Sequence, residues 1–129
     1  MVAEAPAPIT AMHHVALITN DLEATISFYC DLLGGEVVSR ATSSRGNARQ
    51  CFITLGSGTR FEFFEFPDAR KPEWTSMFIG DDMPLSNRVL EHIALRVESI
   101  DELVAWQQRM EAAGVDVVRP PGRDVIFFS

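Results

Sequence analysis

The stretch MHHVALI, Met12 to Ile18, returns in altered form as LEHIALRV, Leu90 to Val97. In each, a histidine is followed by a β-branched residue, alanine and leucine, and each runs into a segment of helical period. Laid together at one offset, His14 matches His92, Ala16 matches Ala94, Leu17 matches Leu95, Leu22 matches Ile100 and Phe28 matches Trp106. A small insertion near the end of the helix then aligns Val37-Val38 with Val117-Val118. A repeat of this length constrains the fold more than any single motif, because both copies must form the same supersecondary unit.

The first copy reads as strand, helix and three strands. Met12 to Thr19 is rich in β-branched and aliphatic residues. In the next segment Leu22, Ile26, Tyr29 and Leu33 fall on one helical stripe, with Asn20 or Asp21 to cap its start and Gly34 to end it. Glu36 to Ala41, Ala48 to Leu55 and Thr59 to Phe66 are strands, the last two joined by a Gly-Ser-Gly hairpin. The second copy predicts a strand at Val89 to Val97, then a helix with Leu103, Trp106, Met110 and Ala113 as its stripe, Ser99 as cap and Gly114 as stop. Strands at Val115 to Val118 and Asp124 to Phe128 follow, and no fourth strand is left in the sequence. The fold class is therefore α+β, built from two βαβββ modules, the second without its last strand. A flexible Ala/Pro lead-in at 1–11 precedes one domain over 12–129, with module one at 12–66, a connecting loop at 67–88 and module two at 89–129. Trp74, Met77 and Phe78 in that loop are read as packing residues.

Composition excludes several function classes. The chain has 129 residues, 47% hydrophobic and 22% charged, which suits one globular domain with a real core. Its formal net charge of −7 disfavours nucleic acid and anionic membranes, both of which are bound through Lys and Arg. No apolar run reaches membrane-spanning length. MVAEAPAPITA has neither the basic nor the apolar region of a signal peptide, and Cys30 and Cys51 lack C-x-x-C spacing. A cytoplasmic protein with two inert, buried thiols is the expectation.

Alternation along a strand from Met12 would send His13 and His14 to opposite faces. The repeat selects His14, because only it has a counterpart, His92; His13 is read as an ordinary strand residue. If the two modules are related by a pseudo-twofold, equivalent histidines can converge near the axis, and two imidazoles with a carboxylate make a divalent metal site. The carboxylate comes from RFEFFEF. Glu62 and Glu65 lie on opposite faces of that strand, each beside phenylalanines, and an unpaired buried charge is costly. One of them must face solvent, while Glu62, on the side of Phe64 and Phe66, could line an apolar pocket. Spacing leaves that choice open. There is no phosphate loop, no G-x-S-x-G elbow and no cysteine beside a histidine.

These segments resemble the vicinal oxygen chelate superfamily, the glyoxalase, bleomycin-resistance and extradiol-dioxygenase group. The likeness rests on HHVALITNDLEATISFYCDLLGGEVV and EHIALRVESIDELVAWQQRMEAAGVDVV and covers nearly all of the chain from Met12. It implies a glyoxalase-like fold with a divalent metal, Zn, Ni, Mn or Fe, held by His14, Glu62 and His92. Family members usually add a Glu from a last strand after a DP-[DN]-G turn. This sequence ends at VIFFS where that turn would begin, so either the native chain is expected to run further or three protein ligands and water hold the metal. The first is favoured because an apolar VIFF strand at a sheet edge invites aggregation.

The resemblance also implies the activity. The leading expectation is a glyoxalase- or epimerase-type lyase or isomerase that chelates a small substrate with adjacent oxygens and stabilises an enolate-like intermediate, with Glu62 moving the proton. A carboxylate at position 62 favours this type. The alternatives are an Fe(II) ring-cleaving dioxygenase, which would use His14 and His92 with a Glu from the missing last strand, and a non-catalytic antibiotic-binding resistance protein; the paired histidines argue against the binder. By analogy a homodimer is expected.

Overall fold

A computed structural model of the protein describes residues 5–44, 46–69 and 92–128. The chain divides into two compact units, Met1–Arg70 and Lys71–Ser129, the boundary falling within the segment read as the connecting loop. The loop residues Trp74, Met77 and Phe78, and Val89, Leu90 and Glu91 of the expected strand, lie outside the described residues.

The first unit follows the βαβββ order: β1 (Val15–Thr19), α1 (Leu22–Ile26), β2 (Glu36–Thr42), β3 (Arg49–Leu55) and β4 (Thr59–Glu65). The sheet order is β1-β4-β3-β2. β1 runs parallel to β4, with Val15 opposite Phe61 and Thr19 opposite Glu65. A parallel pair needs a long crossover; here it is the helix and the β2–β3 meander, which leaves α1 covering one face. The Gly56–Gly58 turn closes β3 onto β4 with Leu55 opposite Thr59, and that register sets Phe52 opposite Glu62. Between Val37 and Ser39 the β2–β3 register slips, so Val37 pairs with Ile53 and Ser39 with Phe52. The odd residue, Val38, is exposed.

α1 starts because Asp21, in extended conformation, accepts from the Ala24 N–H through Oδ1 at 3.0 Å. Its neighbour Leu22 gives its N–H to Glu65 Oε2 at 2.7 Å, so a second orphan donor of the first turn is satisfied from β4. The helix then widens into a π-helical stretch, Ser27–Leu32, where Leu33 N–H reaches back to Phe28 O at 3.1 Å. A regular 3.6-residue stripe through Leu33 is thereby altered. Leu22, Ile26, Tyr29 and Cys30 pack on the sheet, against Cys51, Ile53, Phe61 and Phe63, which are buried together with Leu22. The rings of Tyr29, Phe61 and Phe63 meet at 5.0 to 5.8 Å. Of the two thiols Cys51 is buried and Cys30 half-buried, and burial raises the pKa of both.

In the second unit, α2 (Ile100–Ala112) is capped by Ser99, whose Oγ accepts from Glu102 N–H at 3.2 Å. Glu102 answers by accepting the Glu98 N–H at 2.9 Å, a capping box displaced by one residue. Gly114, at φ +80, ends the helix as expected. β5 (Val117–Val118) and β6 (Phe127–Phe128) pair antiparallel, shorter than the sequence pattern suggests. Residues 92–97 form no ladder among the described residues, where the repeat predicts a strand. The first unit supplies the reason: β1 is held by β4, and the second copy has no fourth-strand counterpart among its described residues to play that part.

Candidate functional site

The face of the first sheet turned away from α1 carries the site. Alternation places Phe61 and Phe63 against the helix and Glu62 and Phe64 on the other side. Register then builds two rows across that side: Ala16, Glu62, Phe52 and Ser39, followed by Ile18, Phe64, Gln50 and Ala41. Ile18 is 65% exposed although it lies in a strand, so this side does not share in the buried core.

His13 and His14 precede β1, which begins at Val15 rather than Met12. Strand alternation therefore does not separate them. Their rings meet edge to face at 5.1 Å, and the two Nδ1 atoms lie 2.8 Å apart. His14 also sets its ring edge to face on Phe52 at 5.3 Å, with Nε2 4.0 Å from Glu62 Oε1. The Glu62 side chain is only 15% exposed, flanked along its face by Phe52 and Phe64, and His14 is the one basic side chain within 4.0 Å of its carboxylate among the described residues.

Glu65 occupies the opposite face and has a different task. Arg49 donates to it twice, Nε to Oε1 at 2.9 Å and a terminal nitrogen to Oε2 at 2.8 Å, and the Leu22 N–H adds a third bond. The hydrogen bonds from Arg49, then that from Leu22, hold its carboxyl below the ordinary carboxylate pKa. Glu23 draws Arg40 and Arg49 into the same network, at 3.0 and 3.3 Å. Glu65 thus serves α1 and the sheet, while Glu62 is left to face His14.

The first unit therefore brings His14 and Glu62 together. His92, the third candidate, belongs to the second unit, where it is exposed. Among the described residues no group of three or more His, Cys, Asp or Glu side chains gathers as a metal cluster. The His14–Glu62 pair reaches the spacing of a shared ion after a small side-chain shift: two donors about 2.1 Å from a tetrahedral metal stand about 3.4 Å apart, and these two lie 4.0 Å apart.

A family model described as Glyoxalase/Bleomycin resistance protein/Dioxygenase superfamily matches residues 11–127. The chain belongs to this superfamily. Among curated proteins it is 25% identical over 108 residues to the uncharacterized protein YwkD of Bacillus subtilis (strain 168), covering 84% of this chain and 75% of that one. It is 28% identical over 94 residues to the uncharacterized protein YaeR of Escherichia coli (strain K12), covering 73% and 66% respectively. Among solved structures it resembles a fosfomycin resistance protein, FosX, of Listeria monocytogenes, complexed there with Mn(II) and 1S,2S-dihydroxypropylphosphonic acid. The TM-score is 0.68 at 21% identity, over 95% of this chain and 85% of that one, which is a likeness of fold.

Three residues at the site escaped sequence reasoning: Phe52, His13 and Arg60, whose Nη1 lies 3.4 Å from His13 Nε2. Phe52 was within reach, because the Gly56–Gly58 hairpin fixes it opposite Glu62. His13 and Arg60 were not, since their contacts depend on where β1 begins.

Proposed function

We propose that the protein is a metal-dependent enzyme of the glyoxalase type, acting on a small substrate with adjacent oxygens as a lyase or isomerase. The observation that carries this reading is the facing of His14 Nε2 and the largely buried Glu62 carboxylate at 4.0 Å. His14 and Glu62 would hold the ion with His92, which enters by its place in the repeat. A divalent ion there would supply Lewis-acid polarisation of the substrate oxygens. Phe52 and Phe64 shield Glu62 from water on the sheet face, which keeps its carboxylate effective as the group that accepts and returns a proton. The 1S,2S-dihydroxypropylphosphonic acid, a vicinal diol, with which the Listeria protein is complexed together with Mn(II), is in keeping with a substrate of this class. A homodimer working in the cytoplasm belongs to the same reading.

Mass-spectrometric metal analysis of the wild type, His14→Ala, Glu62→Gln and His92→Ala tests it. Near-stoichiometric divalent metal in the wild type and its loss in each variant are expected. Equal metal content in all four refutes the site.

A further inference from the structure

His14 stands one residue before the first ladder pair of the sheet, Val15 with Phe61, so no strand pairing fixes its backbone. Among the described residues three side chains engage its ring. His13 meets it edge to face at 5.1 Å, but as the preceding residue it shares the same unpaired stretch of backbone. Glu62 Oε1 lies 4.0 Å from Nε2, beyond hydrogen-bond reach. Phe52 differs from both. Its ring meets His14 at 5.3 Å and an interplanar angle of 78°, an arrangement that aromatic pairs favour. Its backbone lies in β3 between Cys51 and Ile53, both 0% exposed, and is paired on both sides, with Glu62 of β4 and Ser39 of β2. Phe52 therefore ties His14 to the fixed frame of the unit. The contact also spans a strand: β4 runs between β1 and β3, so the two rings meet across the strand that carries Glu62. The β2 bulge serves the same corner. An unbroken ladder from the Val37–Ile53 pair would set Val38 opposite Phe52, whereas the slip leaves Val38 52% exposed and brings the smaller Ser39 beside the ring.

We propose that Phe52 is a positioning residue that seats the His14 ring and keeps its Nε2 turned towards Glu62 before any ion arrives. The consequence for metal binding rests on the proposed function above. A ligand side chain that turns freely has to be ordered when an ion binds, and that ordering is subtracted from the affinity. A ligand on backbone outside the ladder depends on its neighbours for that order. Held by Phe52, His14 has only to close from 4.0 Å to the spacing of two donors on one ion.

Phe52→Leu and Phe52→Met remove the ring and keep apolar bulk, while Phe52→Tyr keeps the ring. In the metal-free protein, three-bond NMR couplings are expected to show one χ1 rotamer of His14 in the wild type and in Phe52→Tyr, and rotamer averaging in the two ringless variants. Mn(II) titration followed by electron paramagnetic resonance then gives about fivefold weaker binding in the ringless variants, the scale of one aromatic pair, and wild-type affinity in Phe52→Tyr. A single His14 rotamer in the ringless variants overturns the proposal, and so does Mn(II) affinity that they leave unchanged. Equal weakening in all three variants also overturns it, by assigning the effect to the packing of β3 rather than to the ring. Averaging confined to the ringless variants, with no Mn(II) binding by any form, upholds the seat and refutes the metal site.

Discussion

Glu65 and Arg49 face each other across β4 and β3 in a two-pronged ion pair, with N–O distances of 2.9 and 2.8 Å, while the same carboxylate caps Leu22 at the start of α1. One side chain thus ties the helix to the sheet. Because these bonds lower the Glu65 pKa from its ordinary 4.5, the carboxylate contributes stability that is fully present above pH 4.5. That contribution is lost as pH falls from there through the lower folded value. Urea midpoints measured between pH 6 and pH 3, as a suggested range of about these values, should fall more steeply for the wild type than for Glu65→Gln. Superimposable pH profiles would contradict the role given to this pair.

Two adjacent glycines end the helical segment for different reasons. Gly34 sits at φ +79 with open space around its missing side chain, so Gly34→Ala meets only backbone strain, about 1–2 kcal/mol. A methyl on Gly35 would lie 2.8 Å from Tyr29 O and 2.9 Å from Thr54 O, both backbone atoms that cannot step aside. Gly35→Ala should cost more, about 2–3 kcal/mol on the scale of overpacked sites. Chemical denaturation of the two variants checks the order, and a milder effect at Gly35 would show that the helix end can shift off the sheet.

Phe61 is 1% exposed, packs with Leu22 and Ile53, and joins the Tyr29 and Phe63 rings. Phe61→Ala should lower unfolding free energy by about 3–5 kcal/mol. The neighbouring Phe64, on the other face and only half-buried, should cost clearly less on the same change. Equal losses at the two positions would mean that the second face is as tightly packed as the first.

The contrast between odd and even positions of β4 also shows what the sequence makes legible. Period two separates Glu62 from Glu65 at once, and the hairpin glycines give the β3–β4 register. Neither says which face α1 covers, because phenylalanines occupy both faces of RFEFFEF. That depends on Leu22 and Tyr29 landing on Phe61 and Phe63, a tertiary fact. The helix itself was legible from its stripe and its Asp21 cap, but its π-helical second half was not, since one extra residue per turn leaves no compositional mark. In the second copy the helical signals of Ser99 and Gly114 were local and held. The strand over 92–97 needed a partner strand, and periodicity cannot supply one. Alternation does not place His13 opposite His14, because both precede the first ladder pair at Val15 and their rings meet.

If His14 and Glu62 hold a metal, binding must be visible as stability, because an ion that binds only the folded chain stabilises it by mass action. At a free ion concentration one hundred times Kd the gain is about 2.7 kcal/mol, which corresponds to a rise in Tm of roughly 10 °C for a chain of this size. Added Mn(II) should therefore raise the wild-type Tm, and chelator should return it to the metal-free value. His14→Ala should leave the metal-free Tm within about 2 °C, since the ring rests on the exposed sheet face and a surface change costs roughly 0.5 kcal/mol or less. The same variant should abolish the response to Mn(II), because it removes one of the two donors that the first unit brings together. A thermal shift that survives in His14→Ala would place the ion elsewhere on the molecule.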